Sequence, residues 1–204
     1  MKFFFGVVIL GAGASRRMGR AKLALPWGEG STIIEHLLCQ WQRAGAAQTT
    51  IVVDRENLEL NNALDAITGV RLDRIENPEP LKGMFGSIQS AAAWGGWDSG
   101  LTHIVVALGD QPHLKQQTLD HLIAAGRRRP EHICQPFWNE RRRHPILFPR
   151  SIFHRLATSS HPTLAHVLRQ DELPMDAVPM DDSGLGLDLD TPEDYAKAVR
   201  SNSP

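Results

Sequence analysis

The chain has 204 residues, of which 42% are hydrophobic and 22% are charged, and its formal net charge at pH 7 is −1. A chain of this length predicts a single domain spanning residues 1–204, with a core of ordinary size. The near-zero net charge excludes the global basic surface that nucleic-acid-binding proteins present, so we expect no nucleic acid partner.

The N-terminal residues resemble a short signal peptide, because Lys2 precedes an apolar run and several small residues. That run is only about eight residues long, at the lower limit for such peptides. Cleavage at the small residues Ala12-Gly13-Ala14 would destroy the glycine-rich segment that they belong to. No other run approaches the ~18 apolar residues that a membrane span needs. Cys39 and Cys134 have no metal-binding spacing, and we expect a cytoplasmic protein with reduced thiols and no membrane partner.

Apolar strands alternate with amphipathic helices along the chain. Strands are predicted over residues 3–10, 49–54, 70–75, 103–108, 133–136, 145–148 and 185–189, and helices over residues 33–44, 87–94, 114–127, 151–157, 163–169 and from 192 onward. Thr32 and Glu35 form a capping-box pattern at the start of the first helix. Thr191 precedes Pro192 at the start of the last one. This alternation predicts an α/β fold with a mostly parallel central sheet.

The strongest functional signal is residues 10–22, which read Leu-Gly-Ala-Gly-Ala-Ser-Arg-Arg-Met-Gly-Arg-Ala-Lys. Small residues after a buried strand let the backbone approach a ligand, and exposed N–H groups can hold phosphate oxygens. Arg17 and Lys22 add positive charge where a triphosphate would lie. The segment matches neither the P-loop nor the dinucleotide fingerprint. The alternative interpretation is a plain turn with a solvated basic flank.

Two acidic segments are candidates for a metal site. Asp110 follows the predicted strand 103–108, at the sheet edge where ligands of open α/β folds bind, and a carboxylate there suits Mg²⁺. Asp110 could instead cap the following helix. Asp188 lies on the predicted strand 185–189, and Asp190 directly follows that strand. Residues two apart on a strand share one face, so we expect these two carboxylates to do so. Asp190 could instead contribute to the cap at Thr191.

A second basic cluster, Arg141-Arg142-Arg143, precedes His144. Its arginines are either a solvated hairpin tip or a loop that meets the phosphate of an acceptor substrate.

Together these segments resemble, in order and across nearly the whole chain, the MobA-like NTP transferases. Residues 10–22 match the family's nucleotide signature, residues 83–88 its second nucleotide-contacting loop, residues 109–112 its metal-binding loop, residues 144–148 its acceptor-side strand and residues 188–194 its C-terminal motif. The resemblance implies a three-layer, Rossmann-like GT-A nucleotidyltransferase fold with a mostly parallel central sheet.

Within the family, Ala12, the Gly-Asp-Gln-Pro loop and the His-Pro-x-Leu-Phe strand are similar to the molybdenum cofactor cytidylyltransferases. The resemblance implies a Mg²⁺-dependent enzyme that moves CMP from CTP, favoured over GTP, to a phosphorylated acceptor such as molybdopterin. It also implies a molybdoenzyme under maturation as a partner. Arg143 stands where the family usually has glycine, and residues 160–164 differ from the usual pattern of the cytidylyltransferases. The identity of the acceptor therefore stays open.

The resemblance also assigns roles to residues. The catalytic residues are Arg17, Lys22 and Asp110; the nucleotide-binding residues are Leu10, Gly11, Ala12, Gly13, Lys22, Gly83 and Ser87; the metal ligands are Asp110 and Asp188; and the acceptor-binding residues are Arg143 and His144. Two other functions are also compatible with the sequence. One is a glycosyltransferase that uses a nucleotide sugar on the same fold, and the other is a cofactor-carrying chaperone without catalytic activity.

Overall fold

The structure is a computed structural model that describes residues 2–13, 18–28 and 30–202. Its strands are β1 (Phe5–Leu10), β2 (Gln48–Val53), β3 (Asp73–Glu76), β4 (His103–Leu108), β5 (Ile133–Trp138), β6 (Arg141–Arg142), β7 (Ile146–Pro149) and β8 (Met175–Pro179). Its α-helices are α1 (Ile33–Arg43), α2 (Leu58–Asp65), α3 (Gly83–Ala93), α4 (Gln116–Arg128), α5 (Arg150–Arg155), α6 (Leu164–Gln170) and α7 (Pro192–Asn202). The predicted α/β class is confirmed.

The strands form one sheet in the order β3-β2-β1-β4-β7-β5-β6, with β8 pairing β5. The pairs β1–β2, β1–β4, β2–β3 and β5–β8 are parallel, whereas β7 is antiparallel to β4 and β5. Leu10 at the end of β1 lies level with Val52 of β2 and Leu108 of β4. The segments that follow these strands therefore leave the sheet at the same edge, where ligands of such folds bind.

Both faces of the sheet are covered, which explains why its central strands are apolar without alternation. In β1, Val7 and Ile9 belong to one core cluster and Val8 to the other. The first cluster includes buried side chains of α1, α2, α4 and α7, and the second includes those of α3, α5 and α6. The molecule therefore has three layers, helices on either side of the sheet.

The two predicted helix caps are confirmed. The Glu35 N–H donates to Thr32 Oγ1 over 3.4 Å, and the Thr32 N–H donates to Glu35 Oε2 over 2.7 Å. Before α7, the Asp194 N–H donates to Thr191 Oγ1 over 3.2 Å, and the Thr191 N–H donates back to Asp194 Oδ2 over 3.1 Å. Each reciprocal pair satisfies backbone donors that a helix start leaves unpaired.

The predicted strand over residues 185–189 is wrong. A 3₁₀ turn occupies Ser183–Gly186, and residues 187–190 form no regular structure. The cause is the buried Asp182, which accepts from the Gly184 N–H over 2.9 Å and from the Lys115 N–H over 3.0 Å. These bonds turn the chain back toward the start of α4. The last strand of the sheet is β8 instead, a short edge strand that ends in Pro179.

Helix α2 and the strands β6 and β8 were not predicted, and the remaining elements differ from their predicted bounds by a few residues. Among the described residues, no helix combines the length and apolar character that crossing a membrane requires.

Candidate active site

A cleft of about 1200 Å³ opens at the carboxyl edge of the sheet. Its walls come from the ends of β1, β2, β3 and β4 and from the start of α3. Six residues with a predicted site role line it: Leu10, Ala12, Gly13, Gly83, Ser87 and Asp110. The structure thus brings together segments that are separated by up to about a hundred residues in the sequence.

Gly11 and Gly13 differ in what surrounds them. A Cβ on Gly11 would lie 2.9 Å from Ile51 Cδ1 and 3.0 Å from Leu23 Cδ1, whereas a Cβ on Gly13 would meet none of the described residues within 4 Å. The Gly11 N–H donates to Val52 O over 2.9 Å. Gly11 is therefore required by the packing of the strand end, and Gly13 leaves open space beside the cleft.

Lys22 reaches the acidic loops from the end of the basic segment. Its Nζ lies 3.3 Å from Asp110 Oδ2 and 3.5 Å from Asp190 Oδ1, and its side chain is only 12% exposed. Ion pairs of limited exposure are screened less by salt than surface pairs are. Arg17, the other cation predicted in this segment, lies outside the described residues.

Asp110 is not a helix cap. Helix α4 begins at Gln116. At its start, the Asp182 side chain accepts from the Lys115 N–H and from the Thr118 hydroxyl. Burial raises the pKa of the Asp110 carboxyl, and the neighbouring Asp188 charge raises it further, while Lys22 opposes both effects. Its Oδ1 is buried and has no hydrogen-bond partner in the described part of the chain. A desolvated oxygen of this kind suits a cation.

The C-terminal acidic motif joins the same site through an irregular loop. The Gln111 side-chain amide donates to Asp188 Oδ1 over 3.1 Å, and the Leu189 N–H donates to Asp110 O over 3.2 Å. Asp188 and Asp190 therefore flank the Asp110 loop, although they do not share a strand face as predicted.

Asp110 and Asp188 are the residues that could hold a metal ion. Across residues 2–13, 18–28 and 30–202, no group of three or more His, Cys, Asp or Glu side chains has metal-binding geometry. Such a pair is too small for a structural metal cage. It fits Mg²⁺, which takes one or two protein carboxylates and completes its shell with substrate phosphates and water.

On the other side of β4 from β1, β7 pairs with β5, and β5 and β6 form a hairpin. Asn139 and Glu140 at its tip have positive φ, and Arg141 and Arg142 are exposed. Arg143 differs from both, because its guanidinium lies 5.7 Å from the centroid of the Trp138 ring. Its Nε is buried without a hydrogen-bond partner among the described residues. The three arginines are therefore not equivalent, and stacking on the aromatic ring orients Arg143.

His144 is held against the end of β4. Its Nδ1 lies 3.4 Å from Val106 O, and burial lowers its pKa to about 4. Because a carbonyl oxygen can only accept, Nδ1 carries the proton and Nε2 presents a lone pair. His144 is therefore a neutral group at pH 7, and it supplies no positive charge.

Sequence reasoning missed three residues of this region: Asn77, Trp138 and Asp190 as a partner of Lys22. Asn77 follows β3, is buried and lines the cleft beside Ser87. An asparagine before a proline is typical of a turn, and only its burial distinguishes it. The ion pair between Lys22 and Asp190 joins residues 168 positions apart, which no local pattern can indicate.

Comparison with known proteins identifies the family. The family model described as the MobA-like NTP transferase domain matches residues 7–174. A nicotine blue oxidoreductase from Paenarthrobacter nicotinovorans is 29% identical over 195 residues, which is 91% of this chain and 92% of that protein.

Solved structures give the same result for the fold. The crystal structure of Rv0371c from Mycobacterium tuberculosis H37Rv is 26% identical, with a TM-score of 0.78 over 98% of this chain and 99% of that chain. A complex of Rv0371c with manganese is 24% identical, with a TM-score of 0.72 over 98% of this chain and all 100% of the other. Since the family model matches from β1 to the residue before β8, this chain belongs to the MobA-like NTP transferase family and is a nucleotidyltransferase on a GT-A-like fold.

Proposed function

We propose that this protein transfers CMP from CTP to a phosphorylated acceptor such as molybdopterin, with Mg²⁺ as cofactor and pyrophosphate as the second product. The observation that carries the proposal is the contact between Lys22 Nζ and Asp110 Oδ2 at 3.3 Å, beside a cleft lined by Ala12, Gly13, Gly83 and Ser87. This arrangement places a cation and a carboxylate next to two glycine-containing loops, as transfer of a nucleotide from a triphosphate requires.

In the proposed reaction, an anionic phosphate oxygen of the acceptor attacks the α-phosphorus of CTP. A new P–O bond forms, the bond from the α-phosphorus to the bridging oxygen breaks, and pyrophosphate leaves with that electron pair. The nucleophile is already deprotonated, so the chain needs no general base. Catalysis then rests on positioning and charge neutralisation. The pKa of about 4 agrees with this scheme, because it makes the His144 imidazole a weak general base.

Lys22 and Arg17 are proposed to neutralise the departing pyrophosphate. In the structure the Lys22 ammonium pairs with Asp110 and Asp190, so a triphosphate would compete with these carboxylates for it. Asp110 and Asp188 would hold Mg²⁺, which when bound screens the negative charge of the phosphate oxygens. The manganese complex of Rv0371c supports a divalent ion in a relative of this fold.

The choice of base and acceptor rests on the resemblance of two loops and on two residues beside β7. CTP is favoured over GTP because Ala12 and the Gly-Asp-Gln-Pro loop resemble those of the cytidylyltransferases. Arg143 and His144 are proposed to meet the acceptor: Arg143 as an oriented cation and His144 through its Nε2 lone pair. We also propose that the enzyme acts in the cytoplasm, where a molybdoenzyme under maturation would receive the product.

The test is to measure pyrophosphate release from each of the four NTPs, with Mg²⁺ or Mn²⁺ and with molybdopterin as the acceptor. We expect release from CTP that depends on both the metal ion and the acceptor, and formation of the CMP–acceptor conjugate. Release from GTP alone would overturn the base assignment but not the reaction class. Turnover of a nucleotide sugar with release of a nucleoside diphosphate would support the glycosyltransferase instead. Tight binding without turnover of any donor would support the chaperone.

A further inference from the structure

We propose that Asn77 is a positioning residue that fixes the Ser87 hydroxyl as a hydrogen-bond donor to an oxygen of the bound nucleoside. The inference rests on the proposed nucleotide site and deepens it. Asn77 follows β3 and Ser87 lies in the second turn of α3. Both side chains are at least nine-tenths buried, and both residues line the cleft.

The orientation of the Asn77 amide follows from its backbone partner. The Glu79 N–H donates to Asn77 Oδ1 over 2.9 Å. A backbone N–H cannot accept, so the amide oxygen must lie on this side and the NH₂ group on the other. The Ser90 hydroxyl is also on the oxygen side, 3.5 Å from Oδ1, and it donates to Gly86 O over 3.1 Å. The reversed amide would place two donors against the Glu79 N–H, which excludes it.

The orientation of the Asn77 amide determines whether the Ser87 hydroxyl donates or accepts a hydrogen bond between them. Asn77 Nδ2 lies 3.0 Å from Ser87 Oγ. An amide NH₂ can only donate, so Ser87 Oγ accepts this bond and its own hydrogen must point elsewhere. In the described part of the chain, no residue accepts that hydrogen: the bond from Asn77 is the only one that Ser87 Oγ makes there. The cleft is the remaining direction.

A buried hydroxyl that can only donate into the cleft binds a ligand atom that accepts a hydrogen bond. It disfavours a ligand donor at the same point, because burying an unpaired polar group costs free energy. On the proposed function, the ligand atom is an oxygen of the nucleoside, either the O2 carbonyl of cytosine or the 2′-hydroxyl oxygen of the ribose. Both present a lone pair, and the experiment below separates them.

The test compares the Kd of CTP, measured calorimetrically with Mg²⁺, for the wild type, Asn77→Asp, Ser87→Ala and the double variant. Aspartate keeps the shape of asparagine and can still accept from Glu79, but it would also accept from Ser87 and draw the hydroxyl hydrogen away from the cleft. We expect Ser87→Ala to weaken CTP binding about fivefold to tenfold, the effect of losing one hydrogen bond.

The double variant separates positioning from charge. The negative charge that Asn77→Asp adds repels the triphosphate in both backgrounds, so that effect cancels in the comparison. We expect Asn77→Asp to weaken binding about fivefold more in the wild type than in the Ser87→Ala background. Equal effects in the two backgrounds would overturn the inference. Failure of the wild type to bind any NTP would overturn the proposed function as well, which distinguishes the two failures.

A second measurement uses only the wild type and Ser87→Ala, and it decides the matter if Asn77→Asp does not fold. Binding of CTP is compared with that of 2-thio-CTP, whose sulfur is a poor acceptor, and of 2′-deoxy-CTP. A penalty for 2-thio-CTP that disappears in Ser87→Ala assigns the donor to the base carbonyl. A penalty for 2′-deoxy-CTP that disappears assigns it to the ribose. Penalties that persist unchanged for both analogues overturn the inference.

Discussion

Lys22 Nζ lies 3.3 Å from Asp110 Oδ2, so the cation of the basic segment and the carboxylate of the proposed metal site neutralise each other before any ligand is bound. Burial of Asp110 would otherwise make its negative charge unfavourable. A metal–triphosphate complex brings its own positive charge for Asp110 and its own negative charge for Lys22. The ion pair can therefore be exchanged for two new ones without leaving a buried charge alone.

Lys22→Ala is expected to lower kcat on the order of 10²–10³-fold, because one preorganised positive charge is removed from the leaving pyrophosphate. The measurement is steady-state pyrophosphate release together with thermal denaturation. Arg20→Ala is the matched control. The Arg20 side chain is 60% exposed and its guanidinium pairs with Glu59 at 3.2 Å, so its loss should leave kcat nearly unchanged. Rates for Lys22→Ala that equal the wild type would remove Lys22 from the catalytic residues.

Asp110→Asn should abolish metal-dependent turnover and leave the fold intact, since asparagine keeps the shape but loses the charge that a metal ion needs. Asp182→Asn is the reciprocal control. Asp182 is buried and accepts from the Lys115 and Gly184 N–H groups, so this variant should lose about 1–3 kcal/mol of unfolding free energy while its Mg²⁺ requirement stays the same. Metal titrations of activity and denaturant unfolding of both variants provide the comparison. A destabilised Asp110→Asn that retains turnover would make Asp110 a structural residue.

The parts of the fold that the sequence predicts are those with strong apolar periodicity. The runs that became β1 and β4 are buried on both faces, and the capping boxes at Thr32 and Thr191 depend only on residues three apart. The strand predicted over residues 185–189 failed because Asp182, a residue outside that segment, holds the chain in a turn. Local patterns do not contain such a tertiary contact.

The site, like the fold, has features that local sequence patterns predict and features that depend on tertiary contacts. Segments that end parallel strands were predictable, because those ends meet at one edge of the sheet, and Leu10, Asp110 and Ser87 do line one cleft. The pairing of Lys22 with Asp190 and the stacking of Arg143 on Trp138 depend on side-chain geometry. The sequence could name Arg141, Arg142 and Arg143 as a cluster, but only the structure separates the third from the other two.

The pH dependence of turnover should report the ionisation of Asp110. Burial raises its pKa above the 3.8 of an unperturbed aspartate, and only the carboxylate can hold a metal ion. We therefore expect the acid limb of kcat/KM to lie above pH 3.8 and to move to lower pH as Mg²⁺ is increased. Lys22→Ala should move it to higher pH, because Lys22 favours the charged form. His144 should contribute no limb near pH 6.5, since its pKa is lowered to about 4.

The free energy of unfolding should also depend on the ionisation of Asp110. The folded state binds the Asp110 proton more tightly than the unfolded state does, so the free energy of unfolding should fall as pH rises from 3.8 through the raised pKa. Asp110→Asn should remove this contribution, which denaturant unfolding across that pH range can measure. An unchanged pH dependence in Asp110→Asn would contradict the raised pKa.

Arg143→Ala should raise the KM for the acceptor, whereas Arg142→Ala should not, because the two arginines differ in how they are held. Arg143 stacks on Trp138 and its Nε is shielded from solvent, while Arg142 is exposed in the β5–β6 hairpin. Loss of an oriented, charge-assisted contact to a phosphate corresponds to about a tenfold or greater change in KM.

His144→Ala should also raise the acceptor KM or lower kcat, since it removes a neutral hydrogen-bonding group beside β4. The Kd of CTP should be unchanged in all three variants, because Arg142, Arg143 and His144 do not line the nucleotide cleft. Two-substrate kinetics with molybdopterin, together with direct CTP binding, give both quantities. Equal effects of Arg142→Ala and Arg143→Ala would show that stacking on Trp138 does not select the arginine that meets the acceptor, and weakened CTP binding would place this strand in the nucleotide pocket instead.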